Sequence, residues 1–262
     1  MSQAAKLEAA SRSRPCSHDI LGNQVRVLGW EEAIFELQAA ISRRSFTRIS
    51  FLNAHNANLA STARNFKQVL ERFTVLPDGL GVDIAARLLY GQPFPANLNG
   101  TDFVPALLAA TATPLRIGLI GTTEERNSAA AVLLQDRYKQ HQIVFRHHGF
   151  FSPAEEAALL AGLAEARPDI LLVGMGVPRQ EFWIADKLDH RHCTLAFGIG
   201  ALLDFLSEDI PRAPQWVRSL RMEWLYRLAL EPKRLWRRYI LGNPLFLTRV
   251  LRQKIAGSAG GA

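Results

Sequence analysis

Apolar residues in this chain recur in two rhythms. Short runs at Arg48–Leu52, Thr74–Leu76, Leu115–Ile120, Asp169–Val173 and Thr194–Phe197 are dense enough to be strands buried on both faces. Between them the spacing turns helical. Glu31–Ser42 carries Ile34, Phe35, Leu37 and Ile41 on one side. Leu59–Phe73 and Glu124–Tyr138 read as helices, and Asp83–Tyr90 is a helix closed by Gly91 and Pro93. A further helix is predicted to start near Phe103 behind Thr101 and Asp102 as caps, and Leu21–Leu28 is predicted as a strand or hairpin around Gly22-Asn23. Three strands end in glycine turns followed by helices: Gly121-Thr-Thr123, Gly174-Met-Gly176 with Pro178 opening the next helix, and Gly198-Ile-Gly200 with a short helix through Phe205. Strand, glycine turn and helix in repetition predict an α/β fold, a Rossmann-like parallel sheet whose ligands bind at the carboxyl ends of the strands.

The pattern changes after Leu206. Ile210-Pro-Arg-Ala-Pro214 reads as a linker. Trp216, Leu220, Trp224, Leu225 and Leu228 follow at helical spacing, then a helix opened by Glu231-Pro232 and a last one opened by Asn243-Pro244. Residues 1–17 lack apolar periodicity and are expected to be disordered. The division predicted is therefore 1–17, an α/β catalytic domain over 18–208, and a basic helical appendage over 209–255.

Charge sharpens that division. The net charge is +7, yet residues 212–254 hold eleven Lys and Arg against Glu223 and Glu231 alone. That imbalance exceeds what salt-bridge decoration needs, so the tail is the part that meets an anion. Tryptophans and leucines interleaved with arginines favour a membrane surface over nucleic acid. Arg227, Arg234 and Arg237 recur at intervals that place them on one helical face. No apolar run reaches the roughly 20 residues of a membrane span. Two cysteines without metal-ligand spacing and no visible secretory signal point to a reducing cytoplasm.

Candidate chemistry lies between Phe51 and Asp102, in Asn53-Ala-His-Asn-Ala-Asn58, Pro77-Asp-Gly-Leu-Gly81 and Asn97-Leu-Asn-Gly-Thr-Asp102, where Asn, Asp and Gly replace large aliphatics at strand ends. Such clusters at loop positions suit a polar ligand. Asp78, between Pro77 and Gly79, is either a turn carboxylate capping the next helix or a general base with backbone room left by Gly79 and Gly81. Asp83 reads as solvated or capping, and His147-His148 as polar surface. No Asp-x-Asp pair suited to a metal on a nucleotide diphosphate is present, so the chemistry is expected to need neither metal nor cofactor. An NAD-dependent oxidoreductase is a competing class, but Gly118 and Gly121 complete no Gly-x-Gly-x-x-Gly fingerprint. A nucleic-acid-binding module is another; it would leave Asp78 unused.

Taken together the motifs resemble the WecG/TagA/CpsF glycosyltransferases. The resemblance rests on Asn53-Ala-His, Pro77-Asp-Gly-Leu-Gly81, Gly100-Thr-Asp102, Leu172–Glu181, Phe197–Phe205, Pro211–Pro214, Glu223–Arg227 and Glu231–Arg238, and spans Ile20 to Tyr239. It implies an inverting transfer of a sugar from a UDP-sugar to a polyprenyl-diphosphate-linked saccharide, by a protein peripheral to the cytoplasmic membrane face and without nucleic acid. It also implies Asp78 as base and Arg227, Arg234 and Arg237 over the cleft. Asn53, Asn56, Gly79, Gly81, Asn99, Asp102, Gln180 and Glu181 would contact substrate, and Asp204 with Gly121, Gly174, Gly176, Gly198 and Gly200 would hold the nucleotide. Phe51 stands where teichoic-acid and common-antigen members carry Thr, and Asn97-Leu-Asn99 where they carry Arg. The wording Asn-Leu-Asn-x-Thr-Asp is similar to xanthan-type members, which favours a glucosyl donor and exopolysaccharide synthesis over UDP-N-acetylmannosamine or its uronic acid. The oligomeric state, a homo-oligomer included, stays open.

Overall fold

The computed structural model describes residues 16–207, 213–214 and 223–259. Eight strands form one sheet in the order β1-β2-β4-β3-β8-β7-β5-β6. β1 (Ser17–Ile20) and β2 (Asn23–Arg26) form an antiparallel hairpin at one edge. The rest run parallel: β3 (Thr47–Leu52), β4 (Thr74–Pro77), β5 (Arg116–Gly121), β6 (Gln142–His147), β7 (Ile170–Gly174) and β8 (Leu195–Gly198).

The central strands show why their sequences are continuously apolar. In β7, Ile170 and Leu172 face one layer of the core while Leu171 and Val173 face the other, and β8 repeats this with Leu195 and Phe197 against Ala196. The first layer is roofed by α1 (Trp30–Ser42), α5 (Gly100–Ala110), α6 (Glu124–Arg137) and α9 (Leu202–Leu206). The opposite face is covered by α2 (Ala54–Thr62), α3 (Arg64–Leu70) and α4 (Leu80–Tyr90) on one side, and by α7 (Pro153–Ala166) and α8 (Arg179–Lys187) on the other.

Several expectations are corrected. The hairpin turns on Leu21 and Gly22, both at positive φ, so Asn23 is already the first residue of β2. The asparagine cluster is not a loop: α2 begins at Ala54 with Asn53 as its cap, and the helix predicted over Leu59–Phe73 breaks at Ala63, whose backbone is extended. Thr101 and Asp102 lie inside the first turn of α5, which Asn99 caps. Asp83 is buried rather than solvated. β6 and α7 extend the predicted sheet; α7 opens with a Ser152–Glu155 capping box. Ser17 belongs to β1, whereas residues 1–15 of the expected disordered segment lie outside the described residues, as do 210–212 of the linker and Trp216 and Leu220.

At the C-terminal end stand α10 (Glu223–Leu230) and α11 (Pro232–Trp236). A π-helical turn (Arg237–Leu241) joins α11 to α12 (Gly242–Ala259) without a break, so Asn243-Pro244 does not open a separate helix. α12 docks through Phe246 and Val250, both fully buried with Val82, Ala85 and Leu52. Asn58 Nδ2 donates to Gly242 O at 2.7 Å, and Arg249 donates to Asn58 Oδ1 at 2.8 Å. No helix among the described residues is long and apolar enough to cross a membrane.

Candidate active site

β3 and β4 are hydrogen-bonded neighbours in register to their ends, Leu52 opposite Pro77, so Asn53 and Asp78 emerge side by side. Asn53 Oδ1 caps α2 by accepting from the backbone N–H groups of His55 and Asn56, both at 3.1 Å. With the oxygen engaged, the amide turns its nitrogen to Asp78, and Nδ2 donates to Asp78 Oδ2 at 3.0 Å. Asp78 N–H donates to Leu52 O at 2.9 Å, and Gly79 N–H to Asn97 Oδ1 at 2.8 Å. Gly79 has φ 90° with nothing within 4 Å of where a Cβ would stand. Its backbone conformation, rather than lack of room, calls for glycine. Asn99 fixes Asp102 twice, accepting from its N–H and donating to its carboxylate, each at 3.0 Å.

Two cavities meet at this carboxylate. One, of about 500 Å³, runs between α4 and the C-terminal helices, with Gly79, Gly81, Asn99 and Asp102 on its polar side and Ile84, Trp224, Tyr239 and Leu247 on its apolar side. The other, of about 640 Å³, lies over the glycine turns and takes in Asn56, Gly174, Gly176, Gly198, Gly200 and Asp204. Asn53, His55, Asp78, Thr101, Phe205 and Arg238 line both. Gly121 does not join them. A Cβ there would stand 2.3 Å from Gly174 O, so it serves the close approach of β5 to β7.

Thr122, at φ 48°, sends its hydroxyl to Asp204 Oδ1 at 2.6 Å, and Arg126 approaches the same oxygen at 3.5 Å. Gln180 and Glu181, at the start of α8, complete the floor of the larger cavity. Burial pushes the Glu181 carboxyl up to about 7.

The arginine prediction is redistributed. Arg238 lines both cavities, whereas Arg237 lines neither and its guanidinium lies 5.4 Å over the Trp236 ring. Glu231 has non-helical torsions between α10 and α11, which breaks the phase linking Arg227 to Arg234 and Arg237. The side chains of Arg227 and Arg234 lie outside the described residues. His55 is the second residue that sequence reading passed over. Burial and the positive charge of Arg238 lower its pKa to about 4, leaving it neutral at physiological pH. His147 packs on His148 and Phe151 rather than in the cleft. Among the described residues no three His, Cys, Asp or Glu stand together as a metal-ligand set.

Two Staphylococcus aureus proteins, from strains COL and MRSA252, are each 27% identical to this chain over 247 residues, covering 93% of it and 95% of themselves. Both are N-acetylglucosaminyldiphosphoundecaprenol N-acetyl-beta-D-mannosaminyltransferases. Their named sugar is N-acetylmannosamine, not the glucose favoured by the Asn97–Asp102 wording, and their names do not speak of exopolysaccharide. The model of the WecG/TagA/CpsF glycosyl transferase family matches residues 18–260, from β1 into the last helix. A match of that extent, over a cleft built from the motifs that carry the resemblance, means that the chain belongs to the WecG/TagA/CpsF family of glycosyl transferases.

Proposed function

We propose that this enzyme transfers N-acetylmannosamine from its UDP derivative to a saccharide carried on a polyprenyl diphosphate, inverting the anomeric centre. The observation that carries the reading is the Asp78 carboxylate, half-buried at the junction of two cavities and oriented by Asn53. The larger cavity, floored by glycine turns, takes the donor. The apolar one, open toward the C-terminal helices, takes the lipid-linked acceptor.

Asp78 accepts the proton of the acceptor hydroxyl as its oxygen attacks the anomeric carbon. The bond from that carbon to the phosphate oxygen breaks on the opposite face, and UDP leaves as the anion. Arg238 stands at the junction and stabilises the charge developing on the phosphate. Exposed Leu225, Trp236, Ile240, Leu241 and Leu245 beside the arginines bring the apolar cavity to a membrane surface, so the enzyme works as a peripheral protein.

A glucosyl donor is the second reading, supported by Phe51, which lines the donor cavity at the position where teichoic-acid and common-antigen members carry Thr. The test is UDP release from a panel of UDP-sugars with and without N-acetylglucosaminyl diphosphoundecaprenol. Acceptor-dependent release with UDP-N-acetylmannosamine supports the proposal. Release with UDP-glucose alone reverses the donor assignment, and no release from any donor overturns the transferase reading.

A further inference from the structure

Glu181 is a buried acid that the transfer chemistry above leaves without a task. Its side chain is 0% exposed on the floor of the donor cavity. Oε1 accepts from Ser50 Oγ at 3.1 Å and from Gln180 Nε2 at 2.8 Å, while the buried Oε2 has no hydrogen-bond partner. The other end of the Gln180 amide accepts from the backbone N–H of Gly200 at 3.1 Å. Because Gly200 presents a donor, the Gln180 atom facing it is the oxygen, and the nitrogen must face Glu181. β3, α8 and the turn after β8 are thus tied through one carboxyl. Gly198 leaves the room: a Cβ there would lie 3.0 Å from Gln180 Nε2 and 3.2 Å from Glu181 Oε1.

We propose that Glu181 is a positioning residue that works as the neutral acid, fixing the Gln180 carboxamide so that its second N–H stays available to the donor sugar. The inference rests on the donor assignment just made. Ionisation places a negative charge beneath an anionic donor and draws that spare N–H toward the unpartnered oxygen, so donor affinity falls. A carboxyl raised to about 7 by burial makes the change within the physiological range.

Other ionisable groups surround it without entering this hydrogen-bond chain. α8 itself carries Arg179, Asp186 and Lys187; β7 and β8 carry no charged residue. From neighbouring elements come Arg48 on β3, which donates to Leu188 O, and Arg64 and Lys67 on α3. Arg72 reaches Asp186, and Glu156 of α7 pairs with Lys187. The ionisable walls of the cavity are His55, Asp78, Arg126, Asp204 and Arg238. These groups are common to wild type and to a Glu181→Gln variant, so comparing the two isolates Glu181.

The experiment is calorimetric titration of the full chain with UDP-N-acetylmannosamine at pH 6 and pH 8, with UDP at pH 6 as control. Wild type should bind the sugar nucleotide about tenfold more weakly at pH 8. Glu181→Gln mimics the protonated acid and should bind equally at both, near the wild-type value at pH 6. Glu181→Ala should weaken sugar-nucleotide binding about tenfold at pH 6 while binding UDP within about twofold of wild type. A Glu181→Gln protein that keeps the wild-type pH response, or a Glu181→Ala protein with undiminished sugar-nucleotide affinity, overturns the role of Glu181 alone. A wild-type chain that binds neither nucleotide overturns the transferase reading and this inference with it.

Discussion

The wall of the cleft carried by the sheet and the wall carried by the C-terminal helices are held by different means. On the sheet side three side-chain amides are each used twice. Asn53 caps α2 and orients Asp78, Asn99 caps α5 and holds Asp102, and Gln180 bridges Glu181 and Gly200. On the helical side two buried residues, Phe246 and Val250, anchor α12, while eight of the thirteen large exposed apolar side chains among the described residues lie between Leu225 and Ile255. The first wall is preorganised, as a transition state that develops charge requires. The second leaves apolar surface uncovered, as a wall that meets lipid requires.

The largest break expected falls on the sheet wall. Asp78→Asn keeps the size of the side chain but removes the base, so turnover should fall by about 10³-fold, with donor affinity within a few-fold of wild type by titration. Retained turnover would remove Asp78 as base. Arg238→Ala should lower kcat/KM by about 10²-fold, whereas Arg237→Ala, whose guanidinium lies over Trp236, should change it only a few-fold. Equal losses from both would mean that the helical wall presents a broad cationic field instead of one placed charge.

A smaller break separates stability from surface. Phe246→Ala removes a fully buried ring and should cost about 3 kcal/mol in thermal or urea unfolding. Leu251→Gln with Ile255→Gln, both exposed, should leave unfolding within about 0.5 kcal/mol and weaken sedimentation with anionic vesicles. If vesicle binding is untouched, the apolar surface serves something other than a membrane.

The sheet wall was largely legible in the sequence and the helical wall was not. Strands between apolar layers follow a period-2 pattern, and residues at their carboxyl ends share one edge by topology, so Asn53, Asp78, Gly174 and Gly198 could be brought together from their motifs. Asn53 was legible as a site residue but not as a helix cap, because the same amide serves both purposes. β6 is half exposed at the edge, and its sequence lacks the dense apolar run of the interior strands. Arg238 stayed hidden because helical phase does not carry across the non-helical Glu231. Glu181 was legible only as a substrate contact implied by the resemblance; the packing of Ser50 and Gln180 around it reveals a buried acid.

His55 sharpens the comparison most finely, since it stands where the two walls meet. Unfolded, the imidazole protonates near 6.5; folded, burial and Arg238 hold it neutral down to about 4. Between those values the unfolded chain binds the extra proton, so stability contributed by the neutral ring is fully present at pH 7 and is lost as pH falls from about 6.5 to about 4. His55→Gln keeps a polar side chain but cannot take the proton, so its melting temperature should decline less steeply than wild type across that window. The Arg238→Ala background adds the decisive arm. Without the neighbouring cation the pKa of His55 should rise toward its ordinary value, and the His55→Gln difference should shrink. A difference unchanged by Arg238→Ala would mean that the helical wall does not bring its charge to the cleft in solution.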